Sequence, residues 1–131
     1  MAGAVAGGAG GITELARLLR ELRPVLHDQR YGFGMIDRGA PPPADVFAMV
    51  HEAEGWTVIA PDADGEWARI SLTVHSSLSA IGLSAAIARA LADRALPANI
   101  VAGYHHDHIF VPWDRRHEAV ATLAALSEHH S

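Results

Sequence analysis

Three groups of side chains in this 131-residue chain have the types and spacing to do chemistry. The first is Ser76-Ser77-Leu78-Ser79-Ala80-Ile81-Gly82, lying between a strand-like run and a helix-like run. A strand-to-helix turn exposes backbone N–H groups at a helix N-terminus, where the helix dipole favours an anion such as a carboxylate. Small side chains let a ligand approach closely, and Gly82 leaves room in the first turn. The same serines could equally satisfy the helix's orphan donors with nothing bound. The second group is His105-His106-Asp107-His108. On a strand His106 and His108 share one face, so with His75 or His51 from a neighbouring strand three imidazoles could meet a metal such as zinc. A tight turn inside this run would break that arrangement and leave a polar hairpin tip. The third is Ser76 or Ser77 beside His75. Neighbours on a strand point to opposite faces, so this pair does not make a nucleophile and its base. There is no GxSxG elbow, and no spacing selects Glu52, Glu54 or Asp107 as a partner carboxylate. No catalytic residue is assigned, and no cofactor is expected.

The composition narrows the classes further. Half the residues are apolar and 19% are charged, which suits a globular chain with a real core. The formal charge is −5, there is no lysine, and the ten arginines are scattered except for Arg115-Arg116. This argues against a nucleic-acid partner, which needs clustered cations. The chain has no cysteine, so disulfides, thiolate catalysis and Cys-based zinc sites are all excluded. No apolar run approaches the ~20 residues that span a bilayer, so no membrane association is expected. Residues 1–11, MAGAVAGGAGG, lack the basic start and apolar stretch of a signal peptide and read as a flexible Ala/Gly tail. A cytoplasmic location is the expectation.

The elements that must position these groups follow from hydrophobic spacing. Thr13 is a candidate N-cap for a helix with Leu15, Leu18, Leu19 and Leu22 on one face, ended by Pro24. Arg17, Arg20 and Arg23 form its solvated side. Residues 25–36 read as extended, with a bend or bulge at Gly32 and Gly34. The Gly-x-Gly at 32–34 lacks the further Gly, Lys and helix of a phosphate loop. Residues 37–45 hold three consecutive prolines and form a loop. VFAMVHEAE and WTVIAP around Glu54-Gly55 read as a hairpin, followed by a polar turn, PDADGE. In ARISLTV, Ile70, Leu72 and Val74 face one way and Arg69, Ser71 and Thr73 the other. Ser79 can cap a helix with Leu83, Ala86, Ile87, Ala90 and Leu91 in one stripe. ANIVAGY and DHIFVP read as two strands with a turn near His105-His106. Asp114 can cap a last helix carrying Val120, Leu123 and Ala124. Trp56, Trp67 and Trp113 fall at turns or strand ends, as core-edge anchors. A helix layer over an antiparallel sheet buries each of these apolar faces.

Glu52–Pro61 (EAEGWTVIAP), Val74–Leu91 (VHSSLSAIGLSAAIARAL) and Asn99–Pro112 (NIVAGYHHDHIFVP) resemble the ACT domain. The ACT domain is a βαββαβ module that binds amino acids and regulates metabolic enzymes. The chain is similar over about residues 13–126 to small stand-alone bacterial proteins built from two ACT-like units. The resemblance implies an α+β, ferredoxin-like βαββ sandwich, with antiparallel sheets and helices packed on one face. It would divide the chain into a tail (1–11), an N-terminal unit (12–66) and a C-terminal unit (67–131), the units separate or interlocked. After the last helix too few residues remain for a sixth strand, so either the N-terminal half would complete the sheet or the two units would interlock. The implied function is non-catalytic, regulatory binding of a free amino acid. Its site would be formed by Ser76, Ser77, Leu78, Ala80, Ile81 and Gly82 with backbone of Asn99, Ile100 and Val101. A homodimer paired edge to edge is implied as well. Two alternatives stay open: a metal-binding protein or metal-dependent enzyme using His105, His106 and His108, and a structural protein–protein interaction module.

Overall fold

Period-two alternation makes Trp67–Leu72 (β4) the strand around which the architecture is arranged. Ala68, Ile70 and Leu72 are fully buried on one face, while Trp67, Arg69 and Ser71 stand on the other. The computed structural model describes residues 8–76 and 79–129, with side chains from residue 14 onward. β4 is one strand of a six-stranded antiparallel sheet. The others are Pro24–Ile36 (β1), Ala48–His51 (β2), Trp56–Pro61 (β3), Asn99–Ala102 (β5) and Asp107–Pro112 (β6). The order is β2-β3-β1-β4-β6-β5. β1 pairs with β3 through its C-terminal half and with β4 through its N-terminal half. The sheet thus continues unbroken across residues 66 and 67, and β1 from the first half of the chain supplies the strand beside β4.

Three helices, Gly8–Arg20 (α1), Leu83–Ala92 (α2) and Arg116–His129 (α3), pack on one face. The main core joins Leu18 and Leu19 of α1 and Leu22 just beyond it, Leu83, Ile87 and Leu91 of α2, and Ala119 and Leu123 of α3 to Ile70, Leu72, Ile109 and Val111. Burying each Leu or Ile here contributes roughly 1.5–3 kcal/mol. The Leu stripe read in α1 therefore closes over β4 and β6 of the second half of the chain. A smaller cluster lies on the opposite face: Tyr31, Ile59 and Phe110, with Phe47, Ala48, Trp67 and Val101 against them.

Four details differ from the sequence expectation. α1 begins at Gly8, so Thr13 lies inside the helix and does not cap it. The irregularity in β1 falls between Leu26 and Arg30, ahead of the two glycines. Gly82, not Ser79, is the N-cap of α2; its φ of +94° is one that glycine adopts without a Cβ penalty. Asp114 sits within a 3₁₀ turn, Trp113–Arg115, that leads directly into α3 at Arg116.

Candidate functional site

The end of the sheet where β4 leaves and β5 turns into β6 brings two parts of the sequence together. The chain leaves β4 through Val74 and His75 toward Gly82, and the β5–β6 hairpin folds back at Gly103–His106. The hairpin is closed by Gly103 N–H donating to the His106 carbonyl at 2.9 Å. A Cβ at 103 would lie 2.8 Å from that carbonyl oxygen, so the close approach requires glycine. The His75 ring packs edge-on against His105 and His106, with centroids 5.7 and 5.0 Å away. His106 Nδ1 is buried with no hydrogen-bond partner among the described residues. Such a group is costly unless something pairs with it. Burial pushes the neighbouring Asp107 carboxyl upward, opposed in part by His106. α2 starts at Gly82, which has no side chain to cap the helix, and its first turn holds no acidic residue.

The expected ligand residues are distributed as follows. Ser76 is half-buried, Ala80 packs against the main core, and Ile81 is 74% exposed. Ser77 and Leu78 lie outside the described residues. β5 is an edge strand, so its outer backbone groups have no neighbouring strand. Ile100 turns its side chain into the helix-covered core, and Val101 joins the opposite cluster. Asn99 is exposed and registers with Phe110, three positions from Ala102 at the hairpin end.

The histidine trio expected for metal is divided. His105 and His106 gather around His75, while His108 turns Nδ1 toward Ser71. His51 is stacked on Trp56, at a centroid distance of 4.0 Å. The turn runs from Gly103 to His106 and β6 starts only at Asp107, so the strand alternation that would align His106 with His108 does not extend through the run. Among the described residues no group of three His, Asp or Glu side chains is arranged to hold a metal ion.

His108 belongs to a second constellation on the helix-free face, which the sequence reading missed. The irregularity in β1 sets His27 beside Ser71, with Nε2 2.7 Å from Oγ. Ser71 Oγ lies 2.8 Å from His108 Nδ1. Arg69 directs Nε and one Nη at the same Nδ1, each at 3.4 Å, and donates from its other Nη to Tyr31 Oη at 3.0 Å. The Arg69 guanidinium covers the Phe47 ring at 4.3 Å. Burial, then the Arg69 charge, lowers the His108 pKa to about 4, and His27 is lowered for the same two reasons. The available signal was the polar pair Arg69 and Ser71 on the non-core side of β4. Nothing local links that pair to His27, 44 residues away from Ser71. A cleft of about 500 Å³ lined by Asp28, Gln29, Arg30, Pro61, Asp62, Ala63 and Trp113 includes no residue of either constellation.

Models of the ACT domain match residues 10–76 and 63–125. The chain belongs to the ACT-domain family. Among solved structures, this ACT protein is similar to a Vibrio cholerae protein of unknown function, a possible transport protein. The two are 32% identical, with 88% of this chain and 98% of that one covered, at a TM-score of 0.71. It also shares its fold with an Agrobacterium tumefaciens protein (13% identity, 79% and 87% covered, TM-score 0.65). The regulatory subunit of aspartate kinase from Thermus thermophilus, in its ligand-free form, has the fold too (11% identity, 79% and 95% covered, TM-score 0.60). No curated protein matches the chain. Among the described residues no helix is long and apolar enough to cross a membrane.

Proposed function

We propose that this ACT protein binds a free amino acid without transforming it, and that the binding has a regulatory outcome. Membership of the ACT family supports small-ligand regulation. The observation that carries the choice of site is the α2 N-terminus, which starts at Gly82 and is reached through a turn whose His75 packs against His106, a ring whose buried Nδ1 has no hydrogen-bond partner among the described residues. In this reading the amides from Leu78 to Gly82 receive the carboxylate, because a helix N-terminus favours negative charge. The ammonium is received by hydroxyls of Ser76 or Ser77 and by carbonyls along the open edge of β5 from Asn99 to Val101. The pairing edge of β5 also suits a homodimer.

A thermal-shift screen of the purified protein with the twenty amino acids, zinc, nickel and manganese tests this. A ligand present at ~100-fold above its Kd adds roughly 2.7 kcal/mol to the stability of the native state, a rise of several degrees in Tm. One or two amino acids should raise Tm. A response to metal alone would reassign the site to the histidines, and no response to any compound would overturn small-ligand binding.

A further inference from the structure

We propose that the helix-free face of the sheet is covered, in solution, by the same face of a second copy of this chain. This inference does not rest on the amino-acid site. The strand register places Val25, Phe33 and Met35 of β1 and Val50 of β2 on that face. They are 45%, 40%, 63% and 52% exposed, and they make up four of the six large apolar side chains exposed among the described residues. Phe33 touches Trp67 and Phe110 edge-on, so the exposed residues continue the buried Tyr31–Phe110–Phe47 cluster. Of the side chains the register assigns to this face, Arg69 alone is permanently charged. Its guanidinium is already engaged with Phe47, Tyr31 and His108.

The dimensions select the occupant. Each strand residue covers about 16 Å² of sheet, so the six strands offer a face of roughly 600 Å² in projection. That is comparable with the ~800 Å² of accessible surface per partner in a standard interface. Val25 lies near one end of β1 and Met35 near the other, about 30 Å apart along the strand, and Val50 is two strands away from β1. A single helix, about 10 Å wide, would leave most of these residues in water. A second sheet packed face to face covers all of them, with inner side chains interdigitating in a layer about 10 Å thick. The near absence of charge on the face gives no basis for selecting an acidic or basic partner. A largely apolar face whose one cation is engaged within its own chain is complementary to itself across a two-fold axis.

Sedimentation equilibrium and cysteine labelling test the proposal on the full chain. The wild-type protein should be dimeric, and Val50→Glu should weaken the dimer at least tenfold while leaving the circular dichroism spectrum unchanged. A wild-type monomer, or a dimer indifferent to Val50→Glu, would overturn it. The chain has no cysteine, so Met35→Cys introduces a single thiol. Its maleimide labelling rate should fall as protein concentration rises, whereas that of Ile81→Cys, in the turn before α2, should not. A Met35→Cys rate independent of concentration in a dimeric sample would place the contact elsewhere and overturn the proposal. Labelling of Ala102→Cys, on the outer edge of β5, reads out an edge-to-edge contact in the same experiment.

Discussion

Ser71 Oγ lies 2.8 Å from His108 Nδ1, and this contact has a fixed direction. Arg69 can only donate, and its Nε and one Nη point at the same nitrogen. His108 Nδ1 must therefore keep its lone pair and accept the Ser71 proton. Ser71 in turn accepts from His27 Nε2–H. The ordered chain is His27 to Ser71 to His108, with both rings neutral. Protonating Nδ1 would aim an N–H at the guanidinium, which is one cause of the depressed His108 pKa.

Replacing Ser71 by Ala leaves part-buried His27 Nε2 without its hydroxyl partner and His108 Nδ1 with only the longer Arg69 contacts. The expected loss is about 1–3 kcal/mol of stability, read from urea unfolding. If the chain is connected as described, His27→Phe costs less in the Ser71→Ala background than in the wild type.

His108 sets a pH dependence whose sign follows from its pKa. An unfolded histidine titrates near 6.5 and the folded one at about 4, so the unfolded chain takes up the proton first. Stability is complete above pH ~6.5 and falls as the pH drops toward 4; His27 acts in the same direction. Arg69, His27 and His106 are the charged or titratable groups that act on His108. Allowing for solvent screening, the His108 contribution is about 2 kcal/mol across that window. Urea midpoints at pH 7, 5.5 and 4 measure it, and His108→Gln should flatten the slope.

Gly65 is the glycine least able to accept a side chain. A Cβ there would lie 2.2 Å from the Tyr31 carbonyl oxygen, and both groups are backbone. The turn is also tied down by Arg30 donating to the Gly65 carbonyl and by Asp62 N–H donating to the Arg30 carbonyl. Gly65→Ala should cost about 3 kcal/mol or more. Gly39→Ala, with φ +85° but open space around it, should cost only about 1 kcal/mol. Thermal unfolding of the two variants provides the comparison.

Gly82 is a poor place to test ligand binding. Its φ is +94°, and a Cβ would meet Leu15 of α1 at 3.0 Å. Gly82→Ala should therefore lower stability by ~1 kcal/mol or more with no ligand present. Ile81→Glu, at a position 74% exposed, should change stability by less than ~0.5 kcal/mol. Its carboxylate at the α2 N-terminus should abolish the thermal shift given by an amino acid that binds there.

Much of the scaffold was legible because it depends on local periodicity. Alternation over Arg69–Val74, the stripe through Leu83, Ile87 and Leu91, and the glycine-bearing turns each report one element's buried face. The cap positions were less legible. Ser79 and Thr13 have the chemistry of caps, yet Gly82 starts α2 because the chain must enter that helix through a positive φ, and serine is not favoured there. The grouping of the histidines was not legible at all. Its outcome depends on where the turn falls relative to β6 and on the irregularity in β1 that carries His27 to Ser71.

By itself, the sequence determined an α+β class through its periodicity and the absence of thiol chemistry through its composition, while the likeness of three segments pointed to the ACT family. Composition and periodicity are properties of the chain, so no neighbour can alter them. The tertiary structure alone decided that β1 lies between β3 and β4, that α1 closes over the second half of the chain, and that His27, Ser71, Arg69 and His108 meet on one open face. These are contacts between residues far apart in sequence, 44 positions for His27 and Ser71 and 48 for Pro24 and Leu72. They arise from strand order and register, and no local pattern of residue types encodes either.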